Sequence, residues 1–367
     1  MNRRAFLLAI PTLGCRRRLS IGFDVFVANQ DGRSVAAVDL TTFRVRKEVA
    51  IDGNPTAIIS HGQRPAVYVL TPRTGTVHEL DPVSLSVRRK SRVAPSAVSM
   101  RLSADGKSLW VLSSEARALV QLELGGFRPA ARIKLPAMPE DFDLTPEFAA
   151  ITFPAEGAFA IAAQTSARVD RMIPIDRKAR IIRFHADGRQ VVCGNGSDRS
   201  VTIFNLAKGR VVAHLPVAVE PENFCFKADN GGELYVTGPG MDAVVVIYPY
   251  QSYVSETRPV GRSPGAMGVS SSPDYLFVAN TEAGSVTVMD IITGKVAAVV
   301  AVGAQPRHVA VTPDNQYAIV LNSRSGDMAV ILIEAILNPS RRRYAPSPLF
   351  TMIPLGATPV SAAIRRA

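Results

Sequence analysis

Apolar residues along this 367-residue chain gather in short runs, and Gly, Pro, Asn and Asp punctuate the gaps between them. The passage from Leu276 to Tyr317 shows the pattern most clearly: LFVAN, TEAGS, VTVMDIITG, KVAAVVAVG, AQP and RHVAVTPDNQY follow one another. Its four runs rich in Val, Ile and Phe, joined by turn residues, predict short antiparallel strands. No helix-length stretch with a 3.6-residue period intervenes.

The same order recurs, with units opening near Asp24, Ala66, Leu109, Ala150, Val191, Leu234, Leu276 and Ala318. A period of about 42 residues is that of a four-strand repeat. The segments DVFVANQDGRSVAAVDL, AVYVLTPRTGTVHELD, VVCGNGSDRSVTIFNL and LYVTGPGMDAVVVI correspond, and the units between Leu109 and Gln190 diverge most. A small twisted sheet cannot bury both faces alone and must stack on neighbours. The expected fold is therefore all-β, a single β-propeller of four-stranded blades. Eight openings predict eight blades, with seven as the alternative if a divergent unit is misread. The chain enters its first unit at DVFVANQ, without that unit's first segment, and ends in LGATPVSAAI, which supplies it. The C-terminal strand should thus pair with the N-terminal blade and close the ring, which covers both ends. An open β-solenoid would not need its termini to complete each other.

The run FVAN, GSVTVMD, TGKVAAVVAVG and QPRHVAVTPD resembles the YVTN-type β-propeller repeat family. The match is strongest in the seventh unit; in the third and fourth the Gly-x-x-Pro motif shrinks to Pro139 or vanishes. The resemblance implies an exported bacterial or archaeal protein, and a binding or surface scaffold more often than an enzyme.

Residues 1–20 read as an export signal and basic linker ahead of a propeller spanning 21–367. Arg3 and Arg4 followed by Phe6 and Leu7 resemble a twin-arginine leader, and Thr12, Leu13, Gly14 and Cys15 resemble a lipoprotein cleavage site. Cys15 is accordingly the candidate for lipidation, a lipid anchor is the one expected route to a membrane, and the expected location is the periplasm or cell envelope. The competing reading is an uncleaved N-terminus. Cys193 and Cys225 lie in apolar strand-like segments without metal-ligand spacing and read as buried structural thiols.

In a propeller the loops entering the inner strands share one face with the loops joining second and third strands. By repeat alignment the entry loops contribute Asn54, Glu140, Arg180, Glu222, Asn223, Arg307 and His308, the candidate ligand-binding residues of a channel mouth. The second set of loops contributes Arg33, Arg73, Arg117, Glu156, Asp198, Arg199, Asp242, Glu282 and Arg324. Guanidinium groups suit carboxylate or phosphate, so the expected partner of this monomer is a protein or a small anionic ligand. The competing reading pairs these arginines with Glu140, Glu222 and Glu282 as ties between blades.

No Gly-x-Ser-x-Gly elbow, phosphate loop, HExxH helix or dinucleotide fingerprint is present, so no catalytic residue is assigned. A lactonase-like hydrolase, drawing on Glu140, Glu222 and Asp242, is the alternative function. The five histidines form no pair at metal spacing, and neither a metal nor another cofactor is assigned. The net charge of +11 raises nucleic acid as a third class of partner, with basic runs at Arg16–Arg18, Arg88–Lys90 and Arg341–Arg343. Stacking groups are missing beside those runs, and Trp110 reads as core.

Overall fold

The structure, a computed structural model, describes residues 22–228, 231–336 and 347–367. The export segment, Cys15 and the Arg341–Arg343 run lie outside the described residues. Within them the chain forms thirty-two β-strands, β1 (Phe23–Asn29) to β32 (Pro359–Arg366), and two short 3₁₀ turns. The strands make eight antiparallel four-stranded sheets, the blades of a β-propeller. Seven blades are consecutive strands; the first combines β3 (Arg44–Ala50), β2 (Ser34–Asp39) and β1 with β32. The pairs Phe23↔Arg366, Val25↔Ile364 and Phe26↔Ala363 close the ring as the sequence predicts.

Burial explains the hydrophobic pattern. The two middle strands of a blade are covered on both faces by neighbouring blades, so they read as continuous apolar runs without alternation. β5 (Val67–Thr71), β9 (Ser108–Ser113) and β25 (Tyr275–Asn280) are buried at every position. Outermost strands such as β3 and β7 (Ser86–Arg92) face solvent and are rich in Arg and Lys, which blunts their open edges. The core is a ring of seams. One cluster joins Phe277 and Val288 of blade seven to Ala318 and Val320 of blade eight, and another joins Val25 and Val27 of blade one to Ile319 and Leu321 of blade eight. Trp110 lies fully buried in the seam between blades three and four.

Turn chemistry accounts for the recurring aspartates. At the end of a third strand, Asp81 accepts the Val83 amide at 2.8 Å and the Arg88 guanidinium at 2.6 Å, and together these hold its carboxyl down at about 2 despite the opposing effect of burial. After the inner strands, Asp105 and Asp314 accept the hydroxyls of Ser103 and Thr312, both at 2.6 Å, and so fold the turn. Cys193 and Cys225 are free thiols, with Cys193 buried; burial raises both, Cys225 to about 12.

Candidate functional site

The rim of the channel is built by one repeated device. Asn29, Asn195, Asn280 and Asn322 end the second strands of blades one, five, seven and eight. Thr71, Ser113, Thr152 and Thr237 stand at or beside that place in the others, and all eight residues are buried. Asn280 Nδ2 donates to Ser285 Oγ at 3.1 Å and Thr287 Oγ1 at 2.9 Å, tying the second strand to the third. In blades seven, eight and one the glycine of the Gly-x-x-Pro that opens the inner strand lies directly over this amide. A Cβ on Gly261 would stand 2.6 Å from Asn280 Nδ2, and one on Gly303 would stand 2.7 Å from Asn322 Nδ2. In these three blades the glycine is a steric requirement of the buried asparagine, whereas Asn195 of blade five has no such glycine in the segment before β16.

Five of the eight inner strands then begin with an irregularity. In β28 (Pro306–Val311) Pro306 pairs with Asn322 and His308 with Leu321, which leaves Arg307 as the bulged residue. In β16 (Ala179–Phe184) Ala179 pairs with Asn195 and Ile181 with Gly194, and the bulged residue is Arg180. Bulges re-aim side chains, and these two put an arginine on the rim at equivalent positions.

Their surroundings differ. Arg180 Nε donates to Glu140 Oε1 at 2.7 Å, an exposed tie between blades four and five. Arg307 makes no ion pair among the described residues and lines two cavities. The first, about 700 Å³, lies across blades six and seven and is lined by Glu222, Asn223, Asp242 and Glu282 among others. The second, about 610 Å³, lies between blades eight and one, is lined by Arg324, Ser325 and Thr358, and has no carboxylate in its wall. Arg324, like Arg307, has no ion-pair partner among the described residues.

Of the residues expected at the channel mouth, Glu222, Asn223 and Arg307 therefore share one cavity. Glu140 and Arg180 are joined to each other. Asn54 Nδ2 donates to Gln30 O at 2.9 Å and holds the loop of the first blade. His308 is half-buried: its Nε2 is buried and without a hydrogen bond, and burial pushes the imidazole down to about 4. A tie between blades is also made by Arg199 Nη2 with Glu220 Oε1 at 3.7 Å, and Arg262 Nη2 meets Glu282 Oε2 at 2.8 Å within blade seven. The basic run of β7 is also engaged: Arg88 on Asp81, Arg89 on Glu79, and Lys90 on Asp52 at 3.5 Å.

Repeat alignment misses one charged group altogether. Where the inner strands β8 (Ala97–Leu102), β12 (Phe142–Leu144) and β16 line the channel, Asp141 and Asp143 sit between Arg101 and Arg183. Asp141 Oδ2 also accepts the Ile182 amide at 3.1 Å, and Asp143 Oδ2 accepts the Phe184 amide at 2.9 Å. The pattern that signals it is an Asp-x-Asp at the start of the shortest inner strand, facing an arginine on either side. Every charge in it is matched. Among the described residues no group of three or more His, Cys, Asp and Glu is placed to hold a metal ion.

Neither a family model nor a curated protein matches the chain. Solved structures do. Dihydro-heme d1 dehydrogenase NirN in complex with DHE is 15% identical, with a TM-score of 0.76 over 92% of this chain and 74% of that one. AztD from Citrobacter koseri is 10% identical, with a TM-score of 0.69 over 94% and 98%. Hydrazine synthase from Kuenenia stuttgartiensis is 18% identical, with a TM-score of 0.61 over 76% and 95%. At such identities the likeness is one of fold, because the chemistry of a propeller lives in its loops.

Proposed function

We propose that this chain is an exported, non-catalytic binding propeller of the YVTN-type repeat family that holds an anionic group at the channel mouth between blades eight and one. One observation carries the reading. Arg307 and Arg324 line the same cavity of about 610 Å³, its wall has no carboxylate, and neither guanidinium is neutralised by an ion pair among the described residues. Guanidinium donors left open in a concave site bind carboxylate or phosphate, whereas paired ones hold the fold. The hydroxyl of Ser325 adds a donor to the same wall, while that of Thr358 donates to Asp31 Oδ2 at 2.6 Å. Lactone hydrolysis has less behind it, because Glu140 lies with Arg180 and outside the cavity that Glu222 and Asp242 share. Export, with lipidation at Cys15 as its finer form, is supported by Arg3, Arg4 and the apolar residues that follow them.

Titration calorimetry of the full chain with citrate and with inorganic phosphate tests the site. Binding of at least one is expected, weakened about tenfold or more by Arg307→Ala and by Arg324→Ala and reduced by added salt. Equal affinity in both variants, or no uptake of either anion, would remove the site. Fractionation of cells expressing the wild type and Arg3→Lys/Arg4→Lys tests export; an unchanged distribution refutes it.

A further inference from the structure

The two cavities that meet at Arg307 have opposite character. On the side of blades eight and one, Arg307 and Arg324 stand open with no carboxylate in the wall. On the side of blades six and seven three carboxylates line the wall, and their engagements differ. Glu282 is paired with Arg262 at 2.8 Å. Asp242 spends Oδ1 on the Ser263 amide at 2.8 Å, which leaves Oδ2 open. Glu222 has neither an ion pair nor a side-chain hydrogen bond among the described residues. Much of the remaining wall is Gly238, Pro239, Gly240 and Gly265, so backbone and not side-chain bulk forms the groove.

A simple anion held by the arginines would have open carboxylates for neighbours across Arg307, and a simple cation in the acidic groove would have Arg307 for a neighbour. Each charge is favoured in one cavity and opposed in the other. Both volumes fall in the range of small-molecule sites, about 300–1,000 Å³, and together they exceed what a single amino acid fills. We infer that the ligand is an elongated zwitterion, with its ammonium end at Glu222 and Asp242 and its carboxylate between Arg307 and Arg324. A short linear peptide with both ends free is the chemical class that satisfies both cavities. This inference rests on the anion site proposed above and adds the second half of the ligand.

The test uses triglycine, N-acetyl-triglycine and triglycinamide, titrated into the full chain by calorimetry. Triglycine is expected to bind, and removal of either terminal charge to weaken it about tenfold or more. In Glu222→Gln/Asp242→Asn the penalty for acetylation should disappear while that for amidation persists; in Arg324→Ala the reverse should hold, as a double-mutant cycle requires. Circular dichroism and an unfolding curve establish that each variant is folded, and Glu222→Gln alone serves if the double variant is not. If acetylation costs nothing while amidation still weakens binding, the acidic half falls and the anion site stands. If amidation costs nothing as well, both fall. If none of the three peptides binds, the peptide class is wrong, and the citrate and phosphate titrations decide separately whether the anion site survives.

Discussion

Arg180 and Arg307 occupy the same bulge of the same repeat in blades five and eight, yet they do opposite things. The arc of blades three to five is closed electrostatically: Glu140 takes Arg180 on the rim, and Asp141 and Asp143 take Arg101 and Arg183 within the channel. The arc of blades six to eight and one leaves Arg307, Arg324 and Glu222 open around two cavities. Divergence from the repeat therefore marks where charge has been turned inward to hold blades together. Regularity marks where the rim has kept its groups for something else.

The comparison is broken most severely at Asp141. Asp141→Ala leaves Asp143 as the one carboxylate between Arg101 and Arg183 and the Ile182 amide without its acceptor, and should cost about 3 kcal/mol. A urea unfolding midpoint lowered by less than a few tenths of a molar would show that the closed arc is not held this way. In the regular arc, Gly303→Ala drives a Cβ to 2.7 Å from Asn322 Nδ2 and should cost about 1–3 kcal/mol. Gly265→Ala, whose Cβ would meet nothing nearer than Thr281 Oγ1 at 3.4 Å, should be close to neutral in the same assay.

A third test uses protons. His308 is kept neutral by burial, at about 4 against an ordinary value of 6.5. A depressed histidine contributes stability that is intact above pH 6.5 and declines as pH falls from there towards 4, where the unfolded chain binds the proton first. The loss at pH 5 is about 2 kcal/mol at most. His308→Gln should flatten that part of the pH–stability curve; the slopes from His78 and His214, which burial also lowers, remain in both proteins. Superimposable curves would mean that the ring is solvated. The smallest effect is expected of Arg180→Ala, which removes an exposed pair worth about 0.2–1 kcal/mol and should leave anion affinity unchanged. A loss of affinity there would place the ligand in the wrong arc.

The eight-bladed ring was legible in the sequence because its strongest signals are physically forced. Middle strands such as β5 and β25 must be apolar on both faces, and Gly261 and Gly303 must lack a Cβ over the buried asparagines. The rim positions were legible for the same reason, since repeat register places Glu222, Asp242, Glu282, Arg307 and Arg324 on one face. What register cannot give is partnership. Whether Arg180 or Arg307 is the tied arginine depends on a neighbour from another blade, and only Arg180 has Glu140 there. His308 aligns with the rim, but it follows the bulge at Arg307 and its Nε2 is buried without a partner. Asp141 adjoins Glu140 in sequence and escaped notice because its partners, Arg101 and Arg183, lie about forty residues away on either side.

Closure of the ring by β32 also decides how the molecule answers a mechanical load. β1 and β32 run antiparallel with Phe23 opposite Arg366, so both chain ends leave from the same end of that pair. Tension between the termini would meet the bond from the Ala367 amide to Gly22 O first, and then each rung in turn. Such a zipper opens at low force, one rung at a time, whereas a sheared pair would resist with all its rungs at once. A propeller tethered at both ends would therefore lose the pairing of β32 with β1, and with it the closure of the ring, before β1, β2 and β3 parted from one another.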